Sequence, residues 1–321
     1  MLSRTADHLF WMARYMERAE NTARMLDVNY QTSLLPQSAD AAAKGWHGML
    51  SISELSDDFR QHYGEATARA VMDYMVRDER NPSSIISCLR AARENARAVR
   101  GTLTTEVWET QNQTWLEFKR LMAGKSFQRD PSETFEWVKF RSHLSRGVTV
   151  GTMLQDEAFH FLRIGSFLER ADNTARLLDV KFHAVSSEYF GATNGGAADQ
   201  EVDFYHWSAI LRSVSGFEVY RKAYRSVIRP DKVAELLILR PDMPRSLAAC
   251  MNEVVANLGR VANDQCEETL RLAGRLRSDL QYGRIDEVLA TGLHAFLTRF
   301  LERVGALGAG ISRDFLVPVA D

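Results

Sequence analysis

Cysteine is scarce: the 321 residues include three, and none forms a Cys-x-x-Cys pair. That excludes a disulfide framework and points to a reducing compartment, so a cytoplasmic protein is expected. Apolar runs long enough for a membrane span, about eighteen residues, are missing. The N-terminus, MLSRTADHLFWMARYMER, carries charges throughout and lacks the apolar core of a signal peptide. Net charge is only −2, which argues neither for nucleic acid nor for an anionic membrane as partner. Glycine-rich phosphate loops, zincin motifs and nucleophile elbows are also lacking. Disorder is excluded in turn, because 45% hydrophobic content supports a real core.

What is present is a repeat. Residues 15–28 read YMERAENTARMLDV and residues 167–180 read FLERADNTARLLDV; ten of the fourteen positions are identical at an offset of 152. His8 meets His160 at the same offset. Trp46 matches Trp207 at offset 161, with Leu50/Leu211, Phe59/Tyr220 and Tyr63/Tyr224. PSSIISC at 82–88 matches PRSLAAC at 244–250 at offset 162, and Asn95 meets Asn257. The jump in offset fits extra residues in the glycine-rich stretch 191–200, since surface loops tolerate insertion best. Two pseudo-repeats are expected, 1–155 and 156–321, sharing one core because no Gly/Pro/Ser linker separates them.

Helical periodicity runs almost throughout. Leu9, Met12, Met16, Ala19, Ala23, Leu26 and Tyr30 recur at alternating spacings of three and four, the seam of a helix packed along one face. Asn81-Pro82 and Asp130-Pro131 look like N-caps followed by a first-turn proline, and Glu133 completes a capping-box-like pattern. Gly101 and Gly124 are plausible stops. Long helices are predicted near 4–33, 82–122, 131–155, 157–190, 244–280 and 284–315, with shorter ones near 45–62, 65–78, 202–226 and 231–239. Strands of alternating polarity are missing, so the class is all-α: a duplicated helical bundle whose two pseudo-repeats pack together.

The repeated helix carries the candidate chemistry. Glu17, Glu20, Arg24 and Asp27 form one stripe beside the apolar seam; the second copy gives Glu169, Asp172, Arg176 and Asp179. Arg18, Asn21, Arg170 and Asn173 lie on the adjacent stripe. Charges beside a buried seam must be paired or hydrogen-bonded. Two readings stay open. In one, the related helices pack across a pseudo-twofold and exchange Glu–Arg pairs. In the other, a polar pocket between the repeats uses Glu17 and Glu169 as catalytic acid/base groups, while Arg18, Glu20, Asn21, Arg24, Arg170, Asp172, Asn173 and Arg176 bind substrate.

A carboxylate-bridged metal is the weaker candidate. Glu157-x-x-His160 supplies one Glu-x-x-His pair, but its counterpart, Thr5-x-x-His8, lacks the carboxylate, and Asp203-x-x-His206 is looser. Neither a metal nor any other cofactor is expected. Arg90, Arg93, Arg97 and Arg100 form a basic stripe, read first as a solvated or paired face and second as a docking surface for a phosphate or acidic partner. Cys88 and Cys250 look buried rather than nucleophilic. Trp46, Trp108, Trp115, Trp137 and Trp207 read as core.

Taken together, YMERAENTAR, FLERADNTARLLDV, residues 81–100 and residues 292–314 resemble blocks of the bacterial alpha-E domain family, over essentially the whole chain. The resemblance implies an all-helical domain whose ER motif falls on Glu17-Arg18 and Glu169-Arg170, with Glu302-Arg303 as a looser third. It also implies neighbours: circularly permuted ATP-grasp amidoligases, with transglutaminase-like proteins as further partners. The function implied is a non-catalytic helical accessory of an ATP-grasp system for peptide or amide-bond synthesis, acting in trans. A free-standing enzyme using the ER glutamates and arginines on the peptide is the alternative, and a metal-dependent oxidative enzyme the weaker one.

Overall fold

The computed structural model describes residues 1–36, 38–189 and 206–316. The glycine-rich stretch 191–200 and Asp203, both singled out in the sequence, lie outside them. The described residues hold helices and no strand. In chain order the helices are α1 (Ser3–Ser33), α2 (Ala39–Ile52), α3 (Ser56–Tyr63), α4 (Ala68–Val76), α5 (Ile85–Ala98), α6 (Thr105–Ala123), α7 (Ser126–Arg129), α8 (Pro131–Thr152) and α9 (Glu157–Tyr189). There follow α10 (206–213), α11 (Phe217–Tyr224), α12 (Pro230–Ile238), α13 (Leu247–Leu258), α14 (Glu267–Tyr282), α15 (Ile285–Thr291) and α16 (Leu293–Phe315).

The long predicted helices at 4–33, 131–155 and 157–190 form much as their apolar seams require, as α1, α8 and α9. Asp130 caps α8 by accepting from the Ser132 amide, with Pro131 in the first turn. Elsewhere the predicted spans break. The 82–122 span starts late: Asn81 Oδ1 accepts from the Ser83 amide, and Ser84 caps α5 by accepting from Ser87. It then breaks at a short 3-10 turn over Arg100–Thr102, after which Thr104 caps α6. The 244–280 span splits into α13 and α14. The 284–315 span splits where Gly292 adopts φ +94°, a left-handed conformation that a side chain disfavours. Glu54 and Ser215, at φ 56° and 52°, likewise end α2 and α10 and divide the predicted 45–62 and 202–226 spans.

Helices α1 and α9 lie at the centre. Their contacts advance in step (Phe10 beside Gly165, Arg14 on Glu169, Glu17 on Arg170), so the two run side by side in the same direction. Around α1 pack α5 and α8, with α6 bridging those two; around α9 pack α13 and α16, bridged by α14. Both Leu9 and Leu26 of the α1 seam are fully buried, as are Ala171 and Leu178 of α9. Gly165 permits the closest approach: a Cβ there would sit 2.3 Å from the Phe10 carbonyl oxygen.

Candidate functional site

The two ER motifs meet, and they do so crosswise. Arg170 of α9 forks onto Glu17 of α1, Nε to Oε1 and Nη2 to Oε2, both 2.8 Å. In return Arg18 of α1 forks onto Glu169 of α9 at 2.6 and 3.1 Å. Arg14, one turn earlier, donates a further 2.8 Å bond to Glu169. Planar guanidinium forks on carboxylates are the strongest ordinary ion-pair geometry. Both carboxylates are nearly inaccessible to water, at 1% and 5% exposure.

Their electrostatics follow from that packing. Burial pushes the Glu17 pKa up, but Arg170 and Arg245 outweigh it and hold the carboxyl below its ordinary value. Burial acts the same way on Glu169, and Arg14 and Arg18 overcome it to bring the pKa down to about 2. Arg18 and Arg170 shift upward: burial opposes their charge, but the carboxylates they face more than compensate. All four groups are ionised at neutral pH.

The stripe on α1 is a buried network. Glu20 accepts from Arg24 (2.9 Å), Ser142 (2.7 Å), Arg245 and Arg146. Arg245, in the loop before α13, also reaches Glu17 (3.1 Å) and Asn21 (2.8 Å). Among the described residues Asn21 Nδ2 has no hydrogen-bond partner. Asp27 accepts from Ser132 (2.9 Å) and Lys139 (2.8 Å) on α8. Arg24 continues to Ser215, 2.6 Å away in the α10–α11 turn.

On α9 the stripe beyond Glu169 is half-buried. Arg176 pairs with Asp172 (2.8 Å) and reaches Glu54 in the α2–α3 turn (2.5 Å), while His294 sits 2.7 Å from Asp179. Asn173 is half-buried too. Arg176, Asp179, Glu54 and Glu302 line an open cleft of about 830 Å3. The difference in burial has a residue-level cause. Arg245, Ser142 and Arg146 gather on Glu20, whereas Ser83, Val304 and Gly308 occupy the positions 162 residues away, and none can supply a cation. The repeated motif did not reveal that asymmetry; Arg245 and Arg146 lie outside the motif and were missed by sequence reasoning. The arginine in P-R-S at 244–246, opposite Ser83 in P-S-S, was the available signal.

The remaining candidates are placed as follows. Arg303 of the third ER pairs with Asp279 and does not join the central forks. Among the described residues no group of three or more His, Cys, Asp or Glu side chains gathers as a metal-ligand set. Glu157 is bonded by the Met1 amine at 2.6 Å, and His160 Nδ1 lies 2.8 Å from Asn257 Oδ1, as His8 Nδ1 lies 2.7 Å from Asn95 Oδ1. In the basic stripe Arg90 pairs with Glu79 and Arg97 with Glu94, while Arg93 and Arg100 lie over the Trp108 ring. Cys88 and Cys250 are buried, and burial pushes both thiols up to about 12, so neither is a nucleophile at neutral pH. Trp46 and Trp207 are core residues; Trp108, Trp115 and Trp137 pack partly buried against the core.

A family model described as a predicted alpha-helical domain with a conserved ER motif matches residues 1–316. Among curated proteins, uncharacterized proteins of Mycobacterium bovis and Mycobacterium tuberculosis are each 24% identical over 331 aligned positions, covering 94% of this chain and 35% of their own length. The chain thus spans about a third of the relatives it matches. No solved structure matches it.

Proposed function

The chain belongs to the Alpha-E family, and we propose that it is a helical accessory module for an ATP-grasp amidoligase, in which the ER motif holds the fold together. The crossed forks Glu17–Arg170 and Arg18–Glu169 carry this reading. A general base or acid needs a pKa near the working pH and access to substrate. Glu17 and Glu169 have neither: they are buried, saturated with arginine donors and shifted downward. What remains for function is the surface and the cleft beside the forks. The resemblance of the ER blocks supplies the class of partner. The greater length of the mycobacterial relatives is consistent with a domain that works alongside other chain.

The architecture we propose is a tandem duplication, with units 1–155 and 156–321 sharing one core. Helix order supports it: α4 and α12 are 162 apart at both ends, and α5 and α13 start 162 apart. So do the matched left-handed residues Glu54/Ser215 and Gly64/Arg225, each 161 apart. Reciprocal contacts support it further, since Arg24 reaches Ser215 while Arg176 reaches Glu54.

The test is affinity purification of the tagged full chain from its own host, with mass spectrometry, followed by amidoligase assay of any ATP-grasp protein recovered. A stoichiometric ATP-grasp partner whose activity depends on this chain is expected. Recovery of the chain alone under gentle conditions would refute the reading.

A further inference from the structure

The buried network around Glu17 and Glu20 does not balance its charge. Arg24, Arg146, Arg170 and Arg245 all bond to these two carboxylates. Two negative charges against four positive ones leave a surplus of two. Asp27 lies outside it, bonded by Lys139 and Ser132 rather than by any of the four arginines. Arg24, Arg170 and Arg245 are buried, at 9%, 8% and 7% side-chain exposure, and Arg146, at 30%, carries the surplus to the edge of the network. Burial depresses the Arg245 pKa, and Glu17 and Glu20 do not restore it. Uncompensated buried charge carries a large desolvation cost, which an incoming anion would relieve.

Next to the network lies an open cleft between α1, α8 and α9. Arg146, Arg163 and Ser166 line it, together with the apolar Met12, Met16 and Phe167 and with Glu17, whose carboxylate Arg146 and Arg170 engage. Arg146 makes all its protein hydrogen bonds through Nη1, and Arg163 makes its one bond, to Glu253, through Nη2. The other guanidinium donors of both have no protein acceptor among the described residues. Ser166 is what leaves the space open. At the matching place on α1, 152 residues earlier, Arg14 covers Glu169 with its guanidinium over Trp11. A serine cannot do the same for Glu17.

We propose that this cleft binds a small organic oxyanion, with the head group on Arg146 and Arg163 and an apolar tail against Met12, Met16 and Phe167. Carboxylate and phosphate head groups share this chemistry. The proposal does not depend on an amidoligase partner.

The test is titration calorimetry and thermal unfolding of the full chain with sodium hexanoate, phenyl phosphate, hexanol and sodium chloride at matched ionic strength. Saturable binding and a raised melting temperature are expected for hexanoate, phenyl phosphate or both, and whichever binds identifies the head group. Arg163→Gln lies outside the buried network, so it should melt near the wild type yet bind roughly tenfold or more weakly, as loss of a charged hydrogen bond implies. Ser166→Arg, which places an arginine in the cleft as Arg14 is placed on α1, should abolish binding. Absence of saturable binding by either oxyanion, an equal effect of chloride or hexanol, or unchanged affinity in both variants would overturn the proposal.

Discussion

Glu17 on α1 and Arg170 on α9 are joined by two parallel 2.8 Å hydrogen bonds, and each is the neighbour in sequence of a residue making the reverse pair. The acid of one ER motif is the counter-ion of the other's arginine. The motif is therefore read by the fold as a clamp between two helices, not as a dyad within one.

Removing one side of the clamp strands the other in a buried site. Glu169→Ala leaves Arg14 and Arg18 unpaired and should cost about 3–5 kcal/mol. Glu17→Ala strands the more deeply buried Arg170 and removes one of the two carboxylates on Arg245, and should cost at least as much. Denaturant unfolding measures both; a near-zero change for either would remove the clamp as a stabilising element.

Acid should loosen the clamp in a defined window. Glu17, Glu20 and Glu169 have folded pKa values below their unfolded values, so their contribution is complete above the unfolded value of about 4.3. It is lost as pH falls through the folded values, about 2 for Glu169. That one group accounts for on the order of 3 kcal/mol. Unfolding curves between neutral pH and about pH 2.5 should show the loss, with no comparable change from pH 6 to 8; a flat profile through the acid range would contradict the assigned pairing.

Gly165→Ala should destabilise by about 1–3 kcal/mol, even though alanine favours helix, because the new methyl meets the Phe10 backbone. Backbone cannot move aside as a side-chain tip does. Calorimetric melting of the variant checks this, and an increase in stability would show that α1 and α9 are spaced more loosely.

Glu20→Gln should cost more stability than Asp172→Asn. Glu20 is inaccessible and holds four protein side chains, whereas Asp172 is 26% exposed and pairs with Arg176. Equal costs would mean that the buried network around Arg245 and Arg146 adds nothing.

The thiols of Cys88 and Cys250 should resist alkylation in the folded chain and react once it is denatured, since burial raises both to about 12. Mass spectrometry of iodoacetamide-treated protein reads this directly; rapid native labelling would place them at an accessible surface.

Much of this was legible in residue order. The three-and-four spacing from Leu9 to Tyr30 foretold α1, because a helix shows one face to the core whatever that core contains. The repeat of ER at 17–18 and 169–170 foretold that two such helices exist, with exchange of Glu–Arg pairs as one of the two readings it left open. The breaks near Glu54, Ser215 and Gly292 were harder to read, because apolar periodicity continues across a turn and two of these three residues are not glycine.

Sequence by itself determined the helical class, the matched ER blocks and the burial of their seams, since these depend on local periodicity and on side chains a few residues apart. Only the tertiary structure decided that Glu17 faces Arg170, that Arg245 enters from 228 residues away, and that Ser166 borders a cleft beside Glu17 while Arg14 bonds Glu169. Ion pairing over such separations is set by which helices pack side by side, and that depends on summed burial and close approach across the whole core rather than on any segment alone.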